Sequence, residues 1–319
     1  MKILANDGIS PSGIKKLEAA GFEVVTETVP QDQLIDEINN KNYVALLVRS
    51  ATTVRKDLID ACPGLKFIGR GGVGMDNIDV DYARSKGITV ENTPASSSQS
   101  VAELVLGSML NISRFLNDSY RNMPVNGKSD FKVLKKKYGK GVELRGKTLL
   151  IVGFGRIGQS LASYALGVGM KVVAVDHEQF KTDIPLEIHG VGVVNAEINT
   201  VTDLENVIGD ADFISLHVPK QNDGSAVLSA EVLKKTKKGV RIVNAARGGV
   251  CDEDALIEML ENGHIAYAAL DVYENEPTPR ADILENDKIA CTPHIGAATV
   301  EAQARIGEEL ADKIIATLK

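Results

Sequence analysis

Three side chains in the last quarter of the sequence have the types needed to move a proton and hold a carboxylate. His294 lies in TPHIGAAT, Glu276 in ALDVYENEP and Arg247 in VNAARGGVCDEDAL. Imidazole exchanges a proton near neutral pH, so His294 can protonate an oxygen on which charge is building. A carboxylate bonded to that ring fixes its tautomer and raises its basicity, a role open to Glu276. A guanidinium can grip a carboxylate through two parallel N–H bonds and polarise the neighbouring carbonyl, which suits Arg247. Singly, each has an ordinary explanation: a turn histidine, a loop carboxylate, a surface ion-pair partner. Together they form the set that hydride transfer at a carbon–oxygen bond requires, given a hydride carrier.

A carrier has its signature upstream. TLLIVGFGRIGQSLASYALGVGMKVVAVD places Gly153, Gly155 and Gly158 as G-x-G-x-x-G between an apolar strand-like run and a helical one. The first glycine makes the tight turn, the second lets backbone approach a pyrophosphate, and the third lets helix and strand pack closely. The start of the helix, with Arg156 and Ile157, offers unpaired N–H groups to phosphate. Asp176 ends the next strand-like run, 23 residues after Gly153. That is close to the ~20 residues expected for an acid that binds a ribose 2′-OH. A carboxylate there repels a 2′-phosphate, so NAD is expected rather than NADP.

These residues need elements to hold them. Short, nearly all-apolar runs alternate with helical patterns throughout: KILAND, EVVTE, YVALLVRS, LKFIGRGG and ITVENTP in the first hundred residues, then TLLIVGF, KVVAVD, FISLHVP, VRIVNAA, AYAALDVY and IACTPH. Continuous apolar strands suit parallel sheets covered on both faces. Two doubly wound parallel-sheet α/β domains are therefore expected. DLENVIGD reads as a helix, and SQSVAELVLGSMLNISRFLNDSYRNM as one long helix opened by a Ser100–Glu103 capping box. The polar, glycine-bearing PVNGKSDFKVLKKKYGKGVELRGK reads as a surface excursion.

Bulk properties exclude other classes. The 319 residues carry a formal net charge of -7, against a nucleic-acid partner, which needs a basic face. Three cysteines without CxxC spacing read as reduced thiols. The apolar start MKILANDG breaks at Asn6, too early for a signal peptide, and no apolar run approaches a membrane span. A cytoplasmic protein with no membrane partner is expected.

The chain resembles the D-isomer-specific 2-hydroxyacid dehydrogenase family over essentially its whole length. NAARGG, DVYENEP and PHIGAAT match the family's Arg, Glu and His motifs, with separations of 29 and 18 residues. The resemblance implies that Arg247 binds the substrate carboxylate and carbonyl, Glu276 supports the histidine and His294 is the general acid/base. It implies that Asp271 holds the nicotinamide carboxamide and that His217 and Pro219 line the adenosine side, with Ala245 and Gly296 also at the cofactor. It further implies a flavodoxin-like substrate domain over 1–98, completed by 296–319, a Rossmann NAD-binding domain over 99–295, and a homodimer.

The same resemblance narrows the substrate. GRGGVGMDNID matches the family's substrate loop, in which amides around Val73 and Gly74 grip a carboxylate. LLVRSATTV resembles the segment of those members that oxidise 3-phosphoglycerate, in which an arginine, here Arg49, meets the phosphate; Arg70, at the end of another strand-like run, is a second cation. The implied reaction is NAD-dependent oxidation of D-3-phosphoglycerate to 3-phosphohydroxypyruvate, the entry to serine synthesis. A hydroxypyruvate or glyoxylate reductase is the alternative within the family, and a non-catalytic NAD-sensing protein the alternative outside it. Because the chain stops at Lys319, the C-terminal regulatory domains of longer relatives are expected to be absent.

Overall fold

A computed structural model describes residues 1–319, which divide into two compact units: Met1–Ser100 with Ala297–Lys319, and Val101–Gly296. The first unit is built from β1 (Lys2–Ala5), α1 (Pro11–Ala19), β2 (Glu23–Val25), α2 (Leu34–Lys41), β3 (Tyr43–Val48), α3 (Lys56–Ala61), β4 (Phe67–Arg70), α4 (Val80–Ser85) and β5 (Thr89–Asn92). Its five strands run parallel in the order β2-β1-β3-β4-β5. Successive strand residues point to opposite faces, and each face has its own core. Leu4, Leu46, Ile68 and Val90 pack with Leu34, Leu58 and Ala83 on one side. Ile3, Ala45 and Phe67 pack with Leu17, Ala311 and Ile314 on the other. The last two residues belong to the C-terminal helix Val300–Leu318, capped by the Thr299 hydroxyl and seated against α1. A Cβ on Gly13 would lie 2.7 Å from the Gly307 carbonyl, so only glycine permits that approach.

Helix α5 (Ser98–Arg114) leads into the second unit. There follow α6 (Leu116–Tyr138), β6 (Thr148–Val152), α7 (Arg156–Gly167), β7 (Lys171–Val175), β8 (Lys181–Ile188), β9 (Gly192–Val201), β10 (Phe213–Leu216), α8 (Ala230–Lys234), β11 (Val240–Asn244), α9 (Glu253–Glu261), β12 (Ile265–Leu270), α10 (Ala281–Leu284) and β13 (Ile289–Cys291); the C-terminal helix is α11. The sheet order is β13-β12-β11-β10-β6-β7-β9-β8, parallel except for β8. From β9 to β12 this is the 3-2-1-4-5-6 order of a doubly wound dinucleotide fold, which reverses between β6 and β10. The expectation of two doubly wound sheets holds. No helix is long and apolar enough to cross a membrane.

Three local expectations are corrected, and one further element had no expectation. The residues after Asp176 form an antiparallel hairpin, β8 with β9, at the sheet edge; its mixed polar and apolar composition gave no clean period. DLENVIGD makes only a 3-10 turn at Ile208–Asp210. Ser100 and Glu103 form no capping box, because α5 starts at Ser98; the Ser100 hydroxyl lies 2.8 Å from that of Thr299, and Glu103 accepts from the Tyr164 hydroxyl. The segment read as a surface excursion is helical as far as Tyr138, despite Pro124 and Gly127. Its break with α5 falls at Phe115, whose φ is 56°, and a second irregularity at Asp130 bends it. The bend brings Tyr138 and Lys137 back to Asp118, each at 2.8 Å, a closure that overrides the local preference of Pro and Gly for a loop.

Candidate active site

The glycine loop leaves β6 at the point where the strand order reverses. Gly153 has φ of +92°, and a Cβ on it would sit 2.6 Å from the His217 carbonyl. A Cβ on Gly158 would sit 2.4 Å from the Gly153 carbonyl, while one on Gly155 would meet only open space. Gly155 is the N-cap of α7 and brings no side-chain oxygen to the helix's first amides, in the turn begun by Arg156 and Ile157. The loop thus presents uncapped N–H groups across a surface without side chains, which fits a pyrophosphate. Asp176, one residue past β7, accepts the Phe154 N–H at 2.6 Å and the His177 N–H at 2.8 Å. Its carboxylate is therefore anchored to the glycine loop itself.

His217 follows β10, with Pro219 exposed two residues on. Its Nε2 lies 2.8 Å from the Ser215 hydroxyl, and its Nδ1 is buried without a partner. Burial pushes its pKa down to about 4. The unfolded chain therefore takes up this proton more readily than the folded one. The stability His217 contributes is complete above about pH 6.5 and is lost as pH falls toward 4. Urea unfolding at pH 7 and pH 5 should show a loss that His217→Gln reduces; an identical loss in both proteins would remove His217 from the account.

The three residues expected to serve proton and carboxylate chemistry follow the ends of adjacent parallel strands: Arg247 after β11, Glu276 after β12 and His294 after β13. The His294 Nδ1 lies 2.8 Å from Glu276 Oε2. The other carboxylate oxygen accepts the Tyr273 N–H at 3.0 Å, so Glu276 is held from both sides. The pair is half-exposed, and the Nε2 of His294 has no partner in the chain. His294 has φ of 53°, a turn that Asp271 enforces. Buried Asp271 accepts the Thr292 hydroxyl at 2.6 Å, the Ile295 N–H at 2.9 Å and the Gly296 N–H at 2.8 Å.

The Arg247 loop starts at half-buried Ala245. Asn244 pins it: its amide donates to the Arg247 carbonyl at 2.9 Å and accepts from the Ala246 N–H at 3.1 Å. The guanidinium donates from Nη1 to the Ala246 carbonyl at 2.6 Å. Sequence reasoning passed over Asn244, Glu253 and Tyr273. Buried Glu253 accepts the Glu274 N–H at 2.8 Å, and the Tyr273 hydroxyl donates to the Thr292 carbonyl at 2.8 Å. Their only signal was proximity to the motifs. The Arg247 and Glu276 loops also meet directly, because a Cβ on Gly248 would lie 1.9 Å from the Tyr273 carbonyl. Gly248→Ala must push these backbones apart. A shift of order 1 Å costs about a hundredfold, so kcat/KM should fall by about that factor with the fold retained by circular dichroism. Unchanged kinetics would show that the two loops need no fixed spacing.

The first unit carries the remaining candidates. Arg49, one residue past β3, donates its backbone N–H to Asp7 at 2.6 Å, and its carbonyl accepts from Asn77 at 2.9 Å. Its guanidinium makes no hydrogen bond or ion pair within the chain, although the backbone beneath is fixed from both sides. Arg70 folds over its own loop, its Nη1 3.3 Å from the Gly71 carbonyl and only 1.6 Å from where a Cβ on Gly72 would stand. The amides of Val73 and Gly74 find no acceptor in the chain.

Comparison with known proteins agrees with this geometry. The profile of the D-isomer specific 2-hydroxyacid dehydrogenase NAD binding domain matches residues 106–296. A hydroxypyruvate reductase of Thermotoga maritima is 44% identical over 300 residues, 93% of this chain and 91% of that protein. A D-3-phosphoglycerate dehydrogenase of Methanocaldococcus jannaschii is 40% identical over 100% of this chain, which spans 58% of that relative's length. Among solved structures, an NADPH-dependent glyoxylate/hydroxypyruvate reductase of Sinorhizobium meliloti, in complex with NADP and malonate, superposes with a TM-score of 0.79. It is 26% identical, covering 100% of this chain and 93% of that one. The chain belongs to the D-isomer specific 2-hydroxyacid dehydrogenase family. It is an enzyme of that class, with a nicotinamide dinucleotide as its cofactor.

Proposed function

We propose that the protein interconverts D-3-phosphoglycerate and 3-phosphohydroxypyruvate with NAD. The observation that supports this substrate is the Arg49 guanidinium, which no carboxylate of the chain neutralises. A phosphate dianion suits such a cation through charge-assisted hydrogen bonds. The free amides of Val73 and Gly74 suit a carboxylate, and Arg70 shapes the loop that carries them. Asp176, anchored to the glycine loop, favours NAD over NADP by repelling a 2′-phosphate.

The chemistry follows from the strand-end residues. A nicotinamide dinucleotide held at the glycine loop and Asp176 would supply hydride to, or accept it from, C2 of the substrate. In the oxidising direction the hydroxyl proton passes to His294 Nε2, while Glu276 holds the proton on Nδ1 and stabilises the imidazolium. In the reducing direction the same Nε2 delivers the proton to the carbonyl oxygen as hydride arrives. Arg247 grips the carboxylate and polarises the C2 oxygen. Asp271 keeps the His294 turn in place, and Gly296 closes that turn. With this reading go a substrate-binding role for the first unit, a place at the entry to serine synthesis, a cytoplasmic setting and a homodimer.

A second reading, reduction of hydroxypyruvate or glyoxylate, is favoured by the Thermotoga maritima relative, 91% of whose length this chain spans. NADH oxidation with 3-phosphohydroxypyruvate, hydroxypyruvate, glyoxylate and pyruvate separates the two. Preference for the phosphorylated acid supports the first, and turnover of only the plain acids supports the second. A hydrogen bond to a charged group contributes about 1.5–3 kcal/mol. Arg49→Ala should therefore lower kcat/KM for 3-phosphohydroxypyruvate by roughly ten- to a hundredfold, with hydroxypyruvate nearly unaffected. An unchanged ratio would refute the phosphate role.

A further inference from the structure

We propose that the second unit carries a separate binding site for a small organic anion with a flat ring, at the amino ends of β11, β12 and β13. A cavity of about 820 Å³ lies there. Arg241 and Tyr267, near the starts of β11 and β12, form part of its lining. Arg247, Asp271 and His294 leave the opposite ends of these strands, so the cavity is distinct from the catalytic loops.

The Arg241 guanidinium sits between two rings, 5.8 Å from the centroid of Phe213 and 5.9 Å from that of Tyr267. Only Nη1 finds an acceptor, the Gly239 carbonyl at 3.5 Å, and Nε is buried with none. A guanidinium has five N–H donors, and those it cannot pair in the chain seek an acceptor oxygen. Burial lowers its pKa, and the charges of Tyr267 and Asp212 offset that cost only in part.

The walls complete the case. Asp118 is neutralised by Lys137 at 2.8 Å, whereas Arg121 and Lys140 have no ion-pair partner. Five cations and three carboxylates line the cavity, a local excess of positive charge in a protein of net charge -7. Phe115 and Tyr138 add aromatic surface, with Phe115 set edge-on to Tyr267 at 5.3 Å. A phosphate or carboxylate would pair with Arg241 while an attached ring lies against these side chains.

Phenyl phosphate combines both features and is the probe. Its binding should be measured calorimetrically with saturating NADH in the Arg49→Ala background, which removes the cofactor site and the proposed substrate phosphate site from the reading. The expected result is a Kd of about 1 mM or tighter, weakened at least about tenfold by Arg241→Gln. A double variant, Arg121→Gln with Lys140→Gln, tests the walls should Arg241→Gln fail to fold, and should also weaken binding. Benzyl alcohol, which has the ring without the charge, should not bind. Absence of phenyl phosphate binding, or equal affinity in both variants, would overturn the site. Neither outcome bears on the Arg49 assignment.

Discussion

His294→Ala is expected to lower kcat by about a hundredfold or more, the usual reach of a positioned general acid/base, with NADH binding nearly unchanged. The geometry separates the two effects. The His294 Nδ1 is committed to Glu276 and its Nε2 has no partner in the chain, so the ring holds no other element in place. The turn around it is kept by Asp271, which bonds the Ile295 and Gly296 amides rather than the imidazole. Alanine at a φ of 53° carries some strain, and asparagine tolerates that conformation better. His294→Asn should therefore match the kinetic loss with less cost in stability. Steady-state kinetics beside a fluorescence titration of NADH tests this. Loss of NADH affinity with little change in kcat would make His294 a structural residue.

Arg247→Lys should reduce kcat/KM by about a hundred- to a thousandfold, comparable with removing a donor from a site of developing charge. Lysine keeps the charge but presents a point ammonium in place of a planar fork, so it cannot hold a carboxylate through two parallel bonds. The loop should survive, since Asn244 holds the Arg247 carbonyl and the Ala246 amide, both backbone groups. The fork's own orientation depends on its bond to the Ala246 carbonyl, which a lysine does not reproduce in geometry. Initial rates over a range of 2-oxo acid, with circular dichroism as a check on folding, give the answer. Near-normal activity in the lysine variant would remove Arg247 from the site.

The fold and the cofactor loop are legible in the sequence where the signal is local. Gly153, Gly155 and Gly158 are legible because a tight turn, an open approach and a close packing each demand glycine within six residues. Strands such as YVALLV and TLLIV are legible because a strand buried on both faces must be apolar at nearly every position. Local preference misleads where a distant contact overrules it. Pro124 and Gly127 indicate a loop, yet Asp118 reaches Lys137 and Tyr138 and the chain between is helical. Ser100 and Glu103 have the capping-box spacing, but their partners are Thr299 and Tyr164.

The sequence by itself determined the family and the two doubly wound sheets, and it singled out the three residues proposed for catalysis, because each rests on residue types at fixed spacing. Only the tertiary structure decided how those three are held. The segments that carry residues 247, 276 and 294 leave neighbouring strand ends because β11, β12 and β13 pair in parallel, a consequence of strand order rather than of any local pattern. Asp271, buried beneath the His294 turn, and Glu253, bonded to the Glu274 amide, show their work only once strand ends and helix starts are brought together. The same holds for Arg241: its place in the sequence is an ordinary strand position, and its unsatisfied Nε emerges only when Phe213 and Tyr267 close around it. A side chain's local chemistry is written in its type, but which of its hydrogen-bonding groups go unsatisfied depends on every segment that folds against it.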